Sequence, residues 1–290
     1  NSLKAKKSYF FFDDEIVALG SGISGQGQIE TTLENYMLQS GNRSYAVNGA
    51  AQQMAMDGET VSYEGVSTLH MDGNVSGSGI GFYFPNGADI QTVSGTRTGK
   101  WTDLGEYNTD PAVQSADWFT AWLSHGTNPS NSSYSYVLLP TATTAQTEQY
   151  AKSSDIEILQ QDEKAHAVYE KSMGVLGVNF WKAGSIDAYG VQNYLRTDAP
   201  ATVMVRENDE TLELYVADST RKSAELNIMI NRAGNYVISA DEGIEVVSTE
   251  PYLKLRINTK NSAGKTYAIK LSFDGTPVLG QTEIKSAVMD

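Results

Sequence analysis

Two short apolar runs, aromatic at residues 9–12 and aliphatic at 16–19, flank Asp13, Asp14 and Glu15 and close on Gly20. Aromatic and β-branched residues in short runs ended by glycine favour strands. The same grammar repeats along the chain, where Gly, Asn, Ser and Asp separate one short apolar run from the next. It predicts strands at residues 8–12, 15–19, 28–38, 44–47, 61–63, 68–71, 79–83 and 90–98, then at 116–124, 134–139, 156–159, 165–170, 174–181 and 185–189. Turn pairs such as Asp57-Gly58, Asp72-Gly73 and Asn86-Gly87 join them as antiparallel hairpins. The predicted class is therefore all-β, built of stacked antiparallel sheets. One short helix is expected, at residues 143–152, where Thr143 and Gln146 have the spacing of a capping box on an exposed turn.

A chain of 290 residues exceeds what one core usually supports, so two domains are expected. From Arg196 onward, runs at 202–206, 212–217, 225–230, 234–239, 244–248, 252–258 and 267–273 are short and closely spaced. Leu212, Leu214 and Val216 point one way while Glu213 and Tyr215 point the other, the period of a half-buried strand. This reading gives a large β-sandwich over residues 1–190, a small β-sandwich over 196–275 and a tail or linker at 276–290. The boundary is expected between Asp187 and Asp198.

The net charge of −14 is uneven: residues 1–187 hold 10 Lys and Arg against 21 Asp and Glu, and residues 188–290 hold 11 against 14. No basic stripe is present, which argues against a nucleic-acid partner. An acidic polysaccharide would be repelled by the mean field and needs a local positive cleft, which the sequence does not plainly display. Without cysteine there are no disulfides, thiolate metal sites or thiol nucleophiles. No apolar stretch approaches bilayer length and no signal-like start is seen, so a soluble chain without a membrane partner is expected.

Gly20, Gly22 and Gly25 have the spacing of a dinucleotide fingerprint, but no strand–helix alternation follows, so a glycine-rich hairpin loop is expected and no organic cofactor. Asp13, Asp14 and Glu15 have two readings. Hard cations such as calcium take several carboxylate oxygens, and adjacent acids at a strand break or bulge supply two or three, with Glu170 as a further ligand. The alternative is turn capping and surface ion pairing. His70, His125 and His166 are far apart and lack metal-ligand spacing. Of the four tryptophans, Trp118, Trp122 and Trp181 read as core. Trp101, between Gly99-Lys100 and Thr102-Asp103, reads as the exposed one that could stack on a sugar ring. Three Asn-x-Ser matches, at Asn42, Asn74 and Asn131, are short enough to arise by chance.

The stretch KSYFFFDDEIVALGSGI at 7–23 closely resembles the core pattern of the polysaccharide lyases that act on hyaluronan, chondroitin and xanthan, the family 8 lyases. Supporting matches are HGTNP at 125–129, YSYVLLP at 134–140, VNFWKAG at 178–184 and DAPATVMV at 198–205. ADST at 217–220 departs from the family's Asp-Pro-Thr, with Ser219 in place of proline. The resemblance implies a β-super-sandwich followed by a small C-terminal β-sandwich, secretion, and a structural calcium. It also implies β-elimination at a uronate of an acidic polysaccharide, with the catalytic groups on an N-terminal helical domain that would be this chain's partner. No residue here matches a catalytic position, so no catalytic residue is assigned and the chain alone is expected to be inactive. A stand-alone carbohydrate-binding or structural β-module is the contrasting expectation, since fold does not fix function.

Overall fold

The computed structural model describes residues 3–39, 44–105, 107–233 and 236–273, with the backbone of 282–283. The chain divides into two compact units, residues 1–154 and 155–290. Antiparallel strands dominate both, as the short punctuated runs require, and among the described residues no helix is long and apolar enough to cross a membrane.

The first unit holds β1 (Lys4–Phe11), β2 (Ile16–Ser24), β3 (Gln28–Leu38), β4 (Ser44–Val47), β5 (Ala50–Gln53), β6 (Thr60–Met71), β7 (Ile80–Lys100), β8 (Val113–Thr127) and β9 (Ser132–Pro140). Hydrogen bonding runs β1-β2-β9-β7-β6-β4-β5, and β8 bridges β7 to β3. The long strand β7 makes this a doubled sandwich. Its first part pairs with β9, Ile80–Tyr83 against Val137–Pro140, and its second with β8, Ile90–Lys100 against Val113–Leu123. Strand β6 bends with it, and the register slips between Tyr63 and Thr68. Gly65 and Gly87 adopt φ of 60° and 68° at this bend. The expected turn at Asn86-Gly87 is therefore a bulge inside one strand, because a left-handed glycine serves a bulge as well as a hairpin. Between the layers lie Ala18, Tyr134 and Tyr136 on one side and Leu33, Phe119 and Leu123 on the other, with Phe82, Phe84 and Ile90 from β7.

The glycines of the expected hairpin loop fall instead inside and just beyond β2. Gly20 faces Tyr134 on β9, and a Cβ there would sit 2.2 Å from the Tyr134 ring, so the missing side chain makes room for the tyrosine. Gly22, at φ 62°, sits where the β2–β9 register slips. The predicted helix is present as α1 (Thr144–Lys152), capped by Thr143 and Gln146 in the expected box. It packs down rather than standing exposed. Thr147 is fully buried against Gly81, and the Thr68 hydroxyl donates to Glu148. His70 is buried at its start, with Nε2 donating to Ala142 O at 2.8 Å and Nδ1 accepting from Thr144 Oγ1 at 2.9 Å.

The second unit contains β10 (Ile156–Gln161), β11 (Ala165–Glu170), β12 (Val175–Phe180), β13 (Gly184–Ala188), β14 (Val191–Thr197), β15 (Ala201–Glu207) and β16 (Thr211–Ala217). It continues through β17 (Glu225–Ile230), β18 (Tyr236–Ala240), β19 (Ile244–Ser248), β20 (Leu253–Asn258), β21 (Thr266–Ser272) and the short β22 (Thr282–Glu283). One sheet runs β10-β11-β12-β15-β16-β21-β18-β22 and the other β13-β14-β17-β20-β19. Leu176, Val203 and Leu214 from the first meet Leu195, Ile228 and Leu255 from the second in one core.

This corrects the domain boundary expected between Asp187 and Asp198. β12 pairs with β15 from Val175↔Arg206 to Phe180↔Ala201, and β14 itself spans residues 191–197 and pairs with β17. A cut at residue 190 would sever two sheets; the division falls just after α1, between Ser154 and Asp155. Most of the expected tail at 276–290 lies outside the described residues.

Candidate functional site

The β3–β8–β7 layer has an outer face opposite its core face, and the register fixes what lies on it. Met37 pairs with Trp118 and Trp118 with Gly95; Asn35 pairs with Thr120; Arg97 pairs with Ala116. Paired residues share a face and the side chains alternate, so Met37, Trp118, Ala116, Arg97, Thr120 and Asn35 form one surface. Phe119, one residue along, points into the core. Past Lys100 the chain leaves β7 in a single 3-10 turn, Trp101–Asp103, that brings the indole of Trp101 back over the end of this surface. The result is a groove of about 560 Å3, floored by Met37, Ala116 and Trp118 and rimmed by Lys100, Trp101 and Leu104. Trp101 is 52% exposed.

The cation in the groove is held in place. Arg97 Nη1 donates to Asn35 Oδ1 at 3.0 Å and Nη2 to Thr120 Oγ1 at 2.6 Å, while the Thr120 hydroxyl donates to Asn35 Oδ1 at 3.0 Å. Its guanidinium carbon lies 5.2 Å from the centre of the Trp118 ring, a cation–π distance. Between Arg43 and Lys152 the sequence contains two cations, Arg97 and Lys100, and both line this groove. Asp103 lines the groove as well, so its charged lining is two cations and one carboxylate, a single positive excess beside two indoles in an otherwise acidic unit.

Trp101 lines this groove, and the expected acidic residues lie elsewhere in the chain. Asp13 and Asp14 are exposed in the β1–β2 turn, which Phe12 N closes onto Glu15 O at 3.0 Å, and Glu15 is buried. Glu170 lies in the second unit at the end of β11. Its Oε1 accepts from Ser172 N at 3.1 Å and Ser172 Oγ at 2.9 Å, and its Oε2 from Met173 N at 2.5 Å, so it closes a tight turn. Among the described residues no three His, Asp or Glu side chains gather as a metal site. Asp13, Asp14 and Glu15 together line a small hollow beside Pro140 and Thr141, without the three-ligand geometry that would mark a metal site, and Glu170 serves the backbone of its own turn.

His125 bonds Thr31 Oγ1 at 2.8 Å and lies beside the Tyr134 ring. Burial first, and the charge of Lys7 second, hold its imidazole below the ordinary 6.5, so it is neutral at pH 7. Trp122 is partly buried and donates to Gln91 Oε1 at 3.0 Å, a structural role.

Residues 1–151 match the polysaccharide lyase family 8 super-sandwich domain, and residues 157–227 match the family's C-terminal β-sandwich domain. The chain belongs to polysaccharide lyase family 8. The two matched regions meet where the two compact units divide. Among the chain's relatives is a xanthan lyase of Bacillus sp. (strain GL1), 38% identical over the whole chain. The solved structure of a Paenibacillus xanthan lyase superposes with a TM-score of 0.88 at 38% identity over 96% of the chain. A Streptomyces coelicolor chondroitin AC lyase, solved in complex with chondroitin sulphate, gives 0.75 at 30% over 94%. The chain spans about a third of these proteins' length: 32% of the Bacillus enzyme, 27% of the Paenibacillus chain and 33% of the Streptomyces chain.

Missed from sequence were Arg97 and Trp118, the first because a lone arginine carries no motif and the second because its flanks read as core. The usable signal was the scarcity of cations, which makes Arg97 and Lys100 conspicuous.

Proposed function

We propose that this chain is the β-sandwich portion of a secreted lyase that cleaves an acidic polysaccharide such as hyaluronan, chondroitin or xanthan by β-elimination at a uronate, and that the Arg97–Trp101–Trp118 groove is its contact with that polymer. The observation that carries the groove assignment is the placement of Arg97 and Lys100, the two cations between Arg43 and Lys152, beside exposed indole surface. A uronate offers a carboxylate to a guanidinium and an apolar ring face to an indole, and both groups are present here. A polymer of this kind meets its enzyme outside the cell, which supports secretion.

The elimination removes the proton at C5 of the uronate, forms the C4–C5 double bond and expels the C4 oxygen, which takes up a proton. It needs a base near its working pH and groups that steady the carboxylate. His125 is neutral but tied to Thr31, and on this reading the acid and base come from the helical catalytic domain of the same enzyme. Pure chain incubated with hyaluronan, chondroitin and xanthan should give no rise in the ultraviolet absorbance of the unsaturated product, and addition of the enzyme's helical portion should restore it. Elimination by the chain alone would overturn this division of labour. Binding of the polymer by the chain with Trp101 fluorescence quenched, abolished by Trp101→Ala or Arg97→Ala, would place the contact in the groove. The same binding without recovered elimination would favour a stand-alone carbohydrate-binding module, a reading supported by the groove being complete within the chain.

A further inference from the structure

The second unit carries a separate cavity of about 470 Å3 that includes Tyr189, Tyr194, Glu207, Asn231, Arg232 and Phe273 in its wall. Arg232 is fixed there from two directions. Its Nε, fully covered, lies 2.8 Å from Glu207 Oε1 as an ion-pair contact rather than an aligned hydrogen bond, and its guanidinium carbon sits 3.9 Å above the centre of the Phe273 ring. Glu207 is fixed in turn, since its other oxygen accepts from the hydroxyl of the buried Tyr194. The arginine side chain is nonetheless 39% exposed. With Nε covered, that exposure belongs to the rest of the side chain, and among the described residues its terminal nitrogens have no hydrogen-bond partner. Arginine has five N–H donors in a rigid fork, so the edge facing Glu207 leaves the far edge for a second carboxylate.

The surroundings suit a sugar ring. Tyr189 stacks edge-on against Tyr194 at 4.8 Å and donates to Gly174 O at 3.2 Å, which leaves the lone pairs of its phenol oxygen to accept from a sugar hydroxyl. Burial raises both tyrosines above their ordinary range, with Glu207 adding to the shift, so both stay protonated. Asn231 donates from Nδ2 to Gln192 O at 3.1 Å, leaving Oδ1 as an acceptor at the cavity wall. A pre-oriented guanidinium edge, an aromatic wall and two free acceptors, with the Glu207 carboxylate engaged by Arg232 and Tyr194, form the donor and acceptor set of a uronate subsite.

We infer that this cavity is a second saccharide-binding site of the chain, in which Arg232 receives the carboxylate of a uronate unit. The choice of uronate rests on the acidic-polysaccharide reading above; the site's existence and its dependence on Arg232 do not. The test follows the Asn231 side-chain amide and the Arg232 backbone amide by 15N NMR while the full chain is titrated with a hyaluronan hexasaccharide. Neutral chitohexaose, which lacks the carboxylate, is the comparison. Both signals should shift with the hyaluronan fragment and stay put with chitohexaose. Arg232→Lys keeps a cation for Glu207 but loses the fork and should weaken binding about tenfold. Trp101→Ala should leave these shifts unchanged, which separates this site from the groove. Unmoved Asn231 and Arg232 signals, or unchanged affinity in Arg232→Lys, would overturn the site; equal binding of chitohexaose would overturn the carboxylate assignment. Failure of the lyase reading appears elsewhere, in the elimination assay.

Discussion

Removing residues 155–190 from the second unit should unfold it. The perturbation compares a segment of residues 155–290 with one of residues 191–290, which begins where a small terminal sandwich was expected from the sequence. The shorter segment loses β10 to β13 and with them Val168, Val175, Leu176, Val178, Phe180 and Ile186, each no more than 5% exposed. Fully burying a Val, Leu, Ile or Phe side chain is worth about 1.5–3 kcal/mol, so these six contribute roughly 9–18 kcal/mol. Residual compactness of the unfolded chain trims that by roughly 10–40%. The remainder still matches the whole stability of a typical domain, about 5–15 kcal/mol. The loss also strips β15 of its partner along Ala201–Arg206 and β14 of its partner along Gly184–Ala188. Urea unfolding followed by far-ultraviolet circular dichroism should show one cooperative transition for 155–290 and none for 191–290. A cooperative transition of similar midpoint in the shorter segment would refute the packing argument and restore the boundary near residue 190.

Two other outcomes follow from close contacts. Gly20→Ala should cost about 1–3 kcal/mol by urea midpoint, because its Cβ would meet the Tyr134 ring at 2.2 Å and that ring, 7% exposed and stacked on Tyr136 at 5.8 Å, has little room to retreat; an unchanged midpoint would show that the ring moves freely. Asp218 is fully buried, and although burial pushes its carboxyl up, hydrogen bonds from Thr220, Ser223 and Lys222 bring it net below 3.8. A depressed folded value means that its contribution is complete above pH 3.8 and is lost as pH falls through the lower folded value; Asp218→Ala should therefore lose about 1.5–3 kcal/mol at neutral pH and flatten the stability–pH slope in that acid window, and an unaltered slope would assign the acid sensitivity to other carboxylates.

The fold class was legible because strand grammar is local: apolar runs of strand length, glycine punctuation and the Thr143–Gln146 box each concern neighbours in sequence. Continuity was not. Asn86-Gly87 carries the signature of a hairpin, yet the left-handed glycine it supplies serves equally to bend β7 so that one strand joins two layers. The domain boundary was hidden for a related reason. No proline- or glycine-rich linker marks it, since the chain passes directly from α1 through Ser153 and Ser154 into β10, while the glycine-bearing turns near residue 190 are hairpin turns inside one sandwich. For the groove, Trp101 could be read from its polar neighbours. Its companions could not, because Arg97, Trp118, Met37 and Asn35 come together only through the register of three strands.

Register also explains how a chain of net charge −14 could contact an acidic polymer. Exposed charges farther apart than about 8 Å are largely screened at physiological ionic strength, so a ligand feels chiefly what lies beside it. Arg97 and Lys100, gathered at one end of the β7–β8 hairpin, therefore weigh most in the local field, offset in part by Asp103 of the same groove, while the acids over the rest of the unit act weakly. Asn35 and Thr120 reinforce this by fixing the guanidinium against Trp118 before any ligand arrives, which lowers the side-chain ordering cost of binding. The Arg232 cavity uses the same device with different parts, Glu207 and Phe273 in place of Asn35 and Trp118. In both places an arginine is positioned by a polar partner and an aromatic ring. Held in that way, a single cation within an acidic chain can recognise a carboxylate that the chain's overall charge would repel.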